Sequence, residues 1–114
     1  MSTSLETTLL NFWSPGRERC GLILENGAVV ELENIHPNPL EAFEFDRKDF
    51  ERYTAAVATW HTHPRTCGNL SVEDYFLFLQ LPRLWHYIVG AHEDLRCYQV
   101  TEGRVLLHDS SHPV

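Results

Sequence analysis

The sequence predicts an α/β (α+β) domain in which a mixed β-sheet is flanked by helices. Three observations predict it. Helical and strand-like segments alternate along the chain, two strong turn dipeptides mark hairpins, and one small, β-branched stretch reads as a buried strand. The length agrees, because 114 residues with 43% hydrophobic content suit one core. Positions 1–114 are therefore read as a single domain, with no repeat, low-complexity segment or linker dividing them.

The elements follow in order. "TSLETTLLNFW" carries Thr3 and Glu6 at capping-box spacing, which predicts a short N-terminal helix that "SPG" at 14–16 ends. "CGLILENGAVVELEN" reads as a hairpin turning at Asn26-Gly27. "IHPNP" is loop, since two prolines in three residues fit neither ladder nor helix. "FEFDRKDFERYTA" predicts a strand end and then a helix capped by Asp46. "AAVATWHTH" is the buried strand, "PRTCGNL" a loop, and Ser71 opens a helix running to about Gln80. "LWHYIVGA" is a further strand, and "LRCYQVTEGRVLLHD" a hairpin turning at Glu102-Gly103.

Composition excludes several function classes. The formal charge of −7 and the nine basic residues, none forming a patch, argue against nucleic acid as a partner. No apolar run approaches the ~20 residues a membrane span needs. "MSTSLETTLLNFW" lacks a basic segment followed by an apolar one, so no signal peptide is expected. Cys20, Cys67 and Cys97 are odd in number and form no CxxC pair, which points to a reducing, cytoplasmic setting. Trp13, Trp60 and Trp85 are read as core residues.

The stretch "ATWHTHPRTCGNLSVEDY" carries the chemistry. On a strand His61 and His63 share a face, and Pro64 stops the strand directly after them. The seven residues from Pro64 to Leu70 can fold back to bring Asp74, in the first turn of the next helix, beside them. Two imidazoles and a carboxylate make a three-ligand set for one Zn2+, with a fourth position left for water. Such a site needs a base, for which the acids Glu18, Glu25, Glu31, Glu33 and Glu73 are candidates, and an oxyanion donor, for which Ser71 serves. Ser71 and Asp74 also have the spacing of a capping box, and a loop cysteine such as Cys67 is more often incidental than a ligand. His36, His86, His92, His108 and His112 are assigned to the surface or to satisfied core positions.

His61-Thr62-His63-Pro64 followed by Ser71-Val72-Glu73-Asp74 resembles the signature of the JAMM (MPN, JAB1/Mov34) metallopeptidases. Glu18-Arg19-Cys20-Gly21 is similar to the E-x-C-G that enters the first strand of bacterial members. The resemblance extends through "ELENIHPNPLEAFEFD" and the strand-rich tail. It implies a cytidine-deaminase-like mixed sheet flanked by helices, zinc on His61, His63 and Asp74, Glu18 as general base and Ser71 beside the oxyanion. The activity it implies is hydrolysis of a peptide or isopeptide bond in a protein substrate with an extended tail, docked along a sheet edge. The chain's length resembles the minimal prokaryotic type, which either trims ubiquitin-like or sulfur-carrier proteins or belongs to phage tail assembly. A non-catalytic scaffold that binds protein partners is the alternative. A zinc deaminase is disfavoured, because no P-C-x-x-C block is present.

Overall fold

The computed structural model describes residues 4–108. In chain order these form α1 (Leu5–Phe12), β1 (Cys20–Leu24), β2 (Val29–Leu32), α2 (Arg47–Glu51), β3 (Ala56–Thr62), α3 (Val72–Gln80), β4 (Trp85–Gly90), β5 (Asp94–Thr101) and β6 (Arg104–His108). The architecture is mixed α/β, and the element order is the one the sequence predicts. A single six-stranded sheet runs β2-β1-β3-β4-β5-β6. Only β3 and β4 are parallel, with α3 as their crossover; every other pair is antiparallel. No helix among the described residues is long and apolar enough to cross a membrane.

Both predicted hairpins turn where the dipeptides require, and β4 and β5 form a third, turning at His92 and Glu93 with φ of 62° and 61°. Gly27 sits at φ 89°, and Glu102 and Gly103 at 53° and 75°, left-handed values that tight hairpin turns demand. The sheet separates two apolar layers. On one face α1 packs Leu9 against Ile23, Ala58, Trp60 and Tyr87, all buried, with Phe12 against the Trp60 ring. On the other, α3 inserts Phe78 against Ile88 and Tyr98. Fully burying side chains of this size stabilises the fold by about 1.5–3 kcal/mol each. Strand alternation in β3 sends Trp60 to the α1 face and His61 to the α3 face, as expected.

Two local expectations need correction, and a third is met by a short element. The cap of α1 is Ser4, whose hydroxyl accepts from the Thr7 N–H; the expected Thr3 lies outside the described residues, as does His112. Residues 43–46 are not a paired strand end but loop, held through the Ile35 N–H to Glu44 carbonyl bond. The helix that Asp46 caps is real but only five residues long, because Arg52 to Ala55 must turn the chain into β3.

His86 is a satisfied core residue. Its Nδ1 lies 2.7 Å from the Thr59 hydroxyl and its Nε2 donates to the Leu81 carbonyl, while its ring stacks on Phe78. Burial first, and then the neighbouring His61, push its pKa down from 6.5 to about 4, against the Leu81 hydrogen bond. The unfolded chain therefore binds a proton at this residue that the folded chain refuses. Stability contributed here is complete above pH 6.5 and is lost as pH falls towards 4, by about 3 kcal/mol in total. The imidazole resonances of folded protein should titrate His86 below pH 5; a midpoint near 6.5 would contradict the buried, neutral ring.

Candidate metal and catalytic centre

The centre is assembled by strand register. Cys20 of β1 stands directly opposite His61 of β3. Continuing the ladder outward sets Arg19 opposite Thr62, with the Thr62 N–H donating to the Arg19 carbonyl and the Arg19 N–H to the Thr62 hydroxyl. Glu18 then falls opposite His63. Directly opposed residues of an antiparallel pair share a face, so Glu18, Cys20, His61 and His63 all point to the α3 side. This is the physical content of the E-x-C-G spacing. Cys20 beneath is fully buried, and burial pushes its thiol up to about 12, so it is an inert filler.

Asp74 arrives from α3. Ser71 is the N-cap, its hydroxyl accepting from the Asp74 N–H at 3.1 Å, while Asp74 Oδ2 accepts from the Ser71 N–H at 3.1 Å. The capping box is what aims the Asp74 carboxylate towards β3. Asp74 Oδ1 lies 3.0 Å from His61 Nε2, and Oδ2 lies 3.1 Å from His63 Nε2. The two imidazole nitrogens are 3.1 Å apart. A carboxylate oxygen of Glu18 joins them, its ligand atom and those of His61 and His63 lying within 4.8 Å of one another.

Proton accounting shows what this donor set suits. His63 Nδ1 lies 3.0 Å from the Cys67 carbonyl, which can only accept, so Nδ1 carries a proton. In neutral His63, Nε2 is then a bare lone pair facing the Asp74 carboxylate. Only a proton or a cation between them relieves that opposition. His61 Nδ1 is buried with no hydrogen-bond partner among the described residues, which in the metal-free protein favours the proton on Nε2, donating to Asp74. Donor separations of 3.0–3.1 Å compare with edges of about 3.3 Å for tetrahedral ligands at 2.0–2.1 Å from zinc. The residues fit a zinc-type cation, and the Cys67 carbonyl is the kind of outer partner that orients a ligating histidine.

Electrostatics follow from burial and charge. Burial lowers His61, and Asp74 only partly restores it. For His63 burial also lowers, but the hydrogen bonds to Asp74 and to the Cys67 carbonyl outweigh it, and the net is upward. Burial would raise Asp74; the two histidines and the Ser71 N–H overcome it and hold the carboxyl well below its usual range. Glu18 is only 6% exposed, and no hydrogen bond reaches its carboxyl among the described residues. Burial pushes it up to about 8, with His63 opposing and the acids Asp74 and Glu73 assisting. Its backbone is pinned, the N–H to the Pro39 carbonyl and the carbonyl to the Asn34 side chain. Glu25, the other early acid, sits in the β1–β2 turn at the far end of β1 and takes no part.

Sequence reasoning missed the residues that act through the backbone. The Cys67 carbonyl orients His63, and the Trp13 indole N–H donates to the His63 carbonyl at 3.0 Å. Phe43 stacks on the His61 ring at 4.3 Å. Backbone acceptors leave no trace in residue type, and only the aromatic at position 43 had a legible counterpart. The centre opens into a cleft of about 170 Å³ lined by Glu18, Ser71 and Asp74 together with Phe43, Phe45 and Leu77.

The fold has a solved counterpart. The solution structure of protein DSY2949 from Desulfitobacterium hafniense, a structural genomics target, superposes with a TM-score of 0.55 at 22% identity, covering 82% of this chain and 76% of that one. No protein-family model and no curated protein matches the sequence.

Proposed function

We propose that the chain is a zinc-dependent hydrolase of peptide or isopeptide bonds, of the JAMM/MPN kind that its sequence resembles. The observation that carries this reading is the convergence of His61 Nε2, His63 Nε2 and the Asp74 carboxylate at 3.0–3.1 Å beside the buried Glu18, whose carboxyl has no hydrogen bond among the described residues. His61, His63 and Asp74 would hold the ion. Bound there, zinc supplies a Lewis acid for the scissile carbonyl and brings water towards a pKa of about 7.

The chain's own residues do the rest. Burial raises the Glu18 carboxyl in the metal-free protein and a cation held beside it would draw it back down, so Glu18 can take a proton from the attacking water and return it to the leaving amine nitrogen. The Ser71 hydroxyl oxygen is committed to the Asp74 N–H, while its hydrogen has no acceptor among the described residues and is free to donate to the oxyanion. Phe43, stacked on His61, holds that ring in plane and keeps water from its face. The substrate is a protein or peptide with an extended tail, of the ubiquitin-like or phage tail-assembly type, and the setting is cytoplasmic.

The test is Glu18→Gln. The substitution keeps the shape and leaves the three ligands in place, so zinc should still bind at one ion per chain. Hydrolysis of tail peptides and ubiquitin-like fusions should fall on the order of 10³-fold. Wild-type protein that binds zinc yet cleaves none of them would transfer the reading to the non-catalytic scaffold.

A further inference from the structure

The cleft that leads from the centre is lined by an excess of acids, with one imidazole, His36, among them. Three carboxylates besides the catalytic candidates line it: Glu41 and Glu44 from the loop before α2, and Glu73 from the first turn of α3. All three are exposed at its mouth. No Lys or Arg lines this arm, and none of the three acids has an ion-pair partner among the described residues. The floor between them is apolar, formed by Phe43, Phe45 and Leu77. Glu18, buried and with no hydrogen bond to its carboxyl among the described residues, lies at its inner end.

The cleft continues past Glu18 and Ser71 into a second arm of about 260 Å³. Leu40, Pro64 and Thr66 line it, and Arg65 and Glu41 bring one charge of each sign there. The unbalanced acids, Glu44 and Glu73, therefore lie on the Phe43 side.

Resting on the hydrolase reading of this groove, we propose that the acidic arm is a specificity pocket for a cationic residue of the substrate, a Lys or Arg close to the scissile carbonyl. A long alkyl stem lies along Phe43, Phe45 and Leu77, as such stems do on apolar surface. The cationic head then reaches Glu41, Glu44 and Glu73 at the mouth, where solvent keeps it hydrated and the three carboxylates supply the field. An apolar substrate residue would fill the floor but leave that field unused. An acidic one would meet like charge from three sides.

The test is binding, which does not depend on turnover. Fluorescein-labelled peptides that differ only in one central Lys, Leu or Glu are titrated with zinc-loaded protein and followed by anisotropy. The Lys peptide should bind about tenfold more tightly than the Leu peptide, and the Glu peptide more weakly than either. In the exposed triple variant E41Q/E44Q/E73Q the three affinities should converge, and 0.5 M salt should narrow the spread in the wild type. Equal affinities in the wild type, or a Lys preference that survives the triple variant, would overturn the assignment. Charge-selective binding without any hydrolysis would remove the hydrolase reading and leave the pocket standing. Hydrolysis indifferent to charge would do the reverse.

Discussion

Saturating zinc is expected to raise the melting temperature of the wild-type protein by on the order of 10 °C, and Asp74→Asn is expected to forfeit the whole rise. A ligand that binds only the folded state stabilises it by about 4 kcal/mol at a thousandfold excess over its dissociation constant. For a chain of this size each kcal/mol shifts the midpoint by roughly 4 °C. The amide at position 74 keeps the volume and one acceptor oxygen. It loses the charge that both imidazoles face at 3.0 and 3.1 Å. An outer partner of a ligand is worth about 10–100-fold in metal affinity, and a ligand should exceed that. The metal-free proteins must be compared as well, because Asp74 also closes the Ser71 capping box; loss of a cap costs about 1 kcal/mol. Differential scanning fluorimetry with and without zinc separates the two effects. A variant that keeps the zinc-dependent rise would remove Asp74 from the ligand set.

The order of elements was legible because each rests on a local signal. Asn26-Gly27 and Glu102-Gly103 fix two turns through backbone conformations that few residues adopt. The alternation in β3 placed Trp60 and His61 on opposite faces without knowledge of the sheet. The bounds of short elements were not legible. Phe43 to Asp46 has the composition of a strand end, yet Glu44 is tied to Ile35 by one backbone bond and joins no ladder. Its task is to carry Phe43 over His61, which is a tertiary requirement.

The candidate site divides in the same way. His61, His63, Ser71 and Asp74 are close in sequence, and strand parity with helix capping suffices to bring them together. Glu18 needs the pairing of β1 with β3, a contact across more than forty residues. Periodicity carries no information on which strands pair, so only the E-x-C-G resemblance pointed to it. The Cys67 carbonyl and the Trp13 indole were out of reach altogether, since one is backbone and the other reads as core.

That backbone carbonyl leads to the second large expected effect. Gly90→Ala, at a position distant in sequence from the candidate metal ligands, should lower both stability and zinc affinity. A Cβ on Gly90 would stand 2.4 Å from the Cys67 carbonyl carbon and from the Gly68 nitrogen. These are backbone atoms, and they cannot swing aside as a side chain would. The loop is also tied down elsewhere: Tyr98 donates to the Gly68 carbonyl at 2.8 Å, Asp94 accepts from the Gly68 N–H, and the Ala91 N–H donates to the Thr66 carbonyl. Overpacking against fixed backbone costs about 3 kcal/mol, roughly 12 °C at this chain length.

Whatever movement relieves the clash shifts the Cys67 carbonyl away from His63 Nδ1, 3.0 Å distant in the native chain. His63 then loses the bond that fixes its tautomer and ring plane, and zinc affinity should fall about 10–100-fold. Asp94→Ala supplies the comparison, since it releases one tie without forcing a collision and should cost less on both counts. If Gly90→Ala unfolds the protein, Asp94→Ala still reports, because a looser loop must weaken zinc before it weakens the fold. Calorimetric zinc titration of both variants decides the matter. Wild-type affinity in a folded Gly90→Ala protein would show that the loop does not set His63, and the orientation of that imidazole would have to come from Asp74 alone.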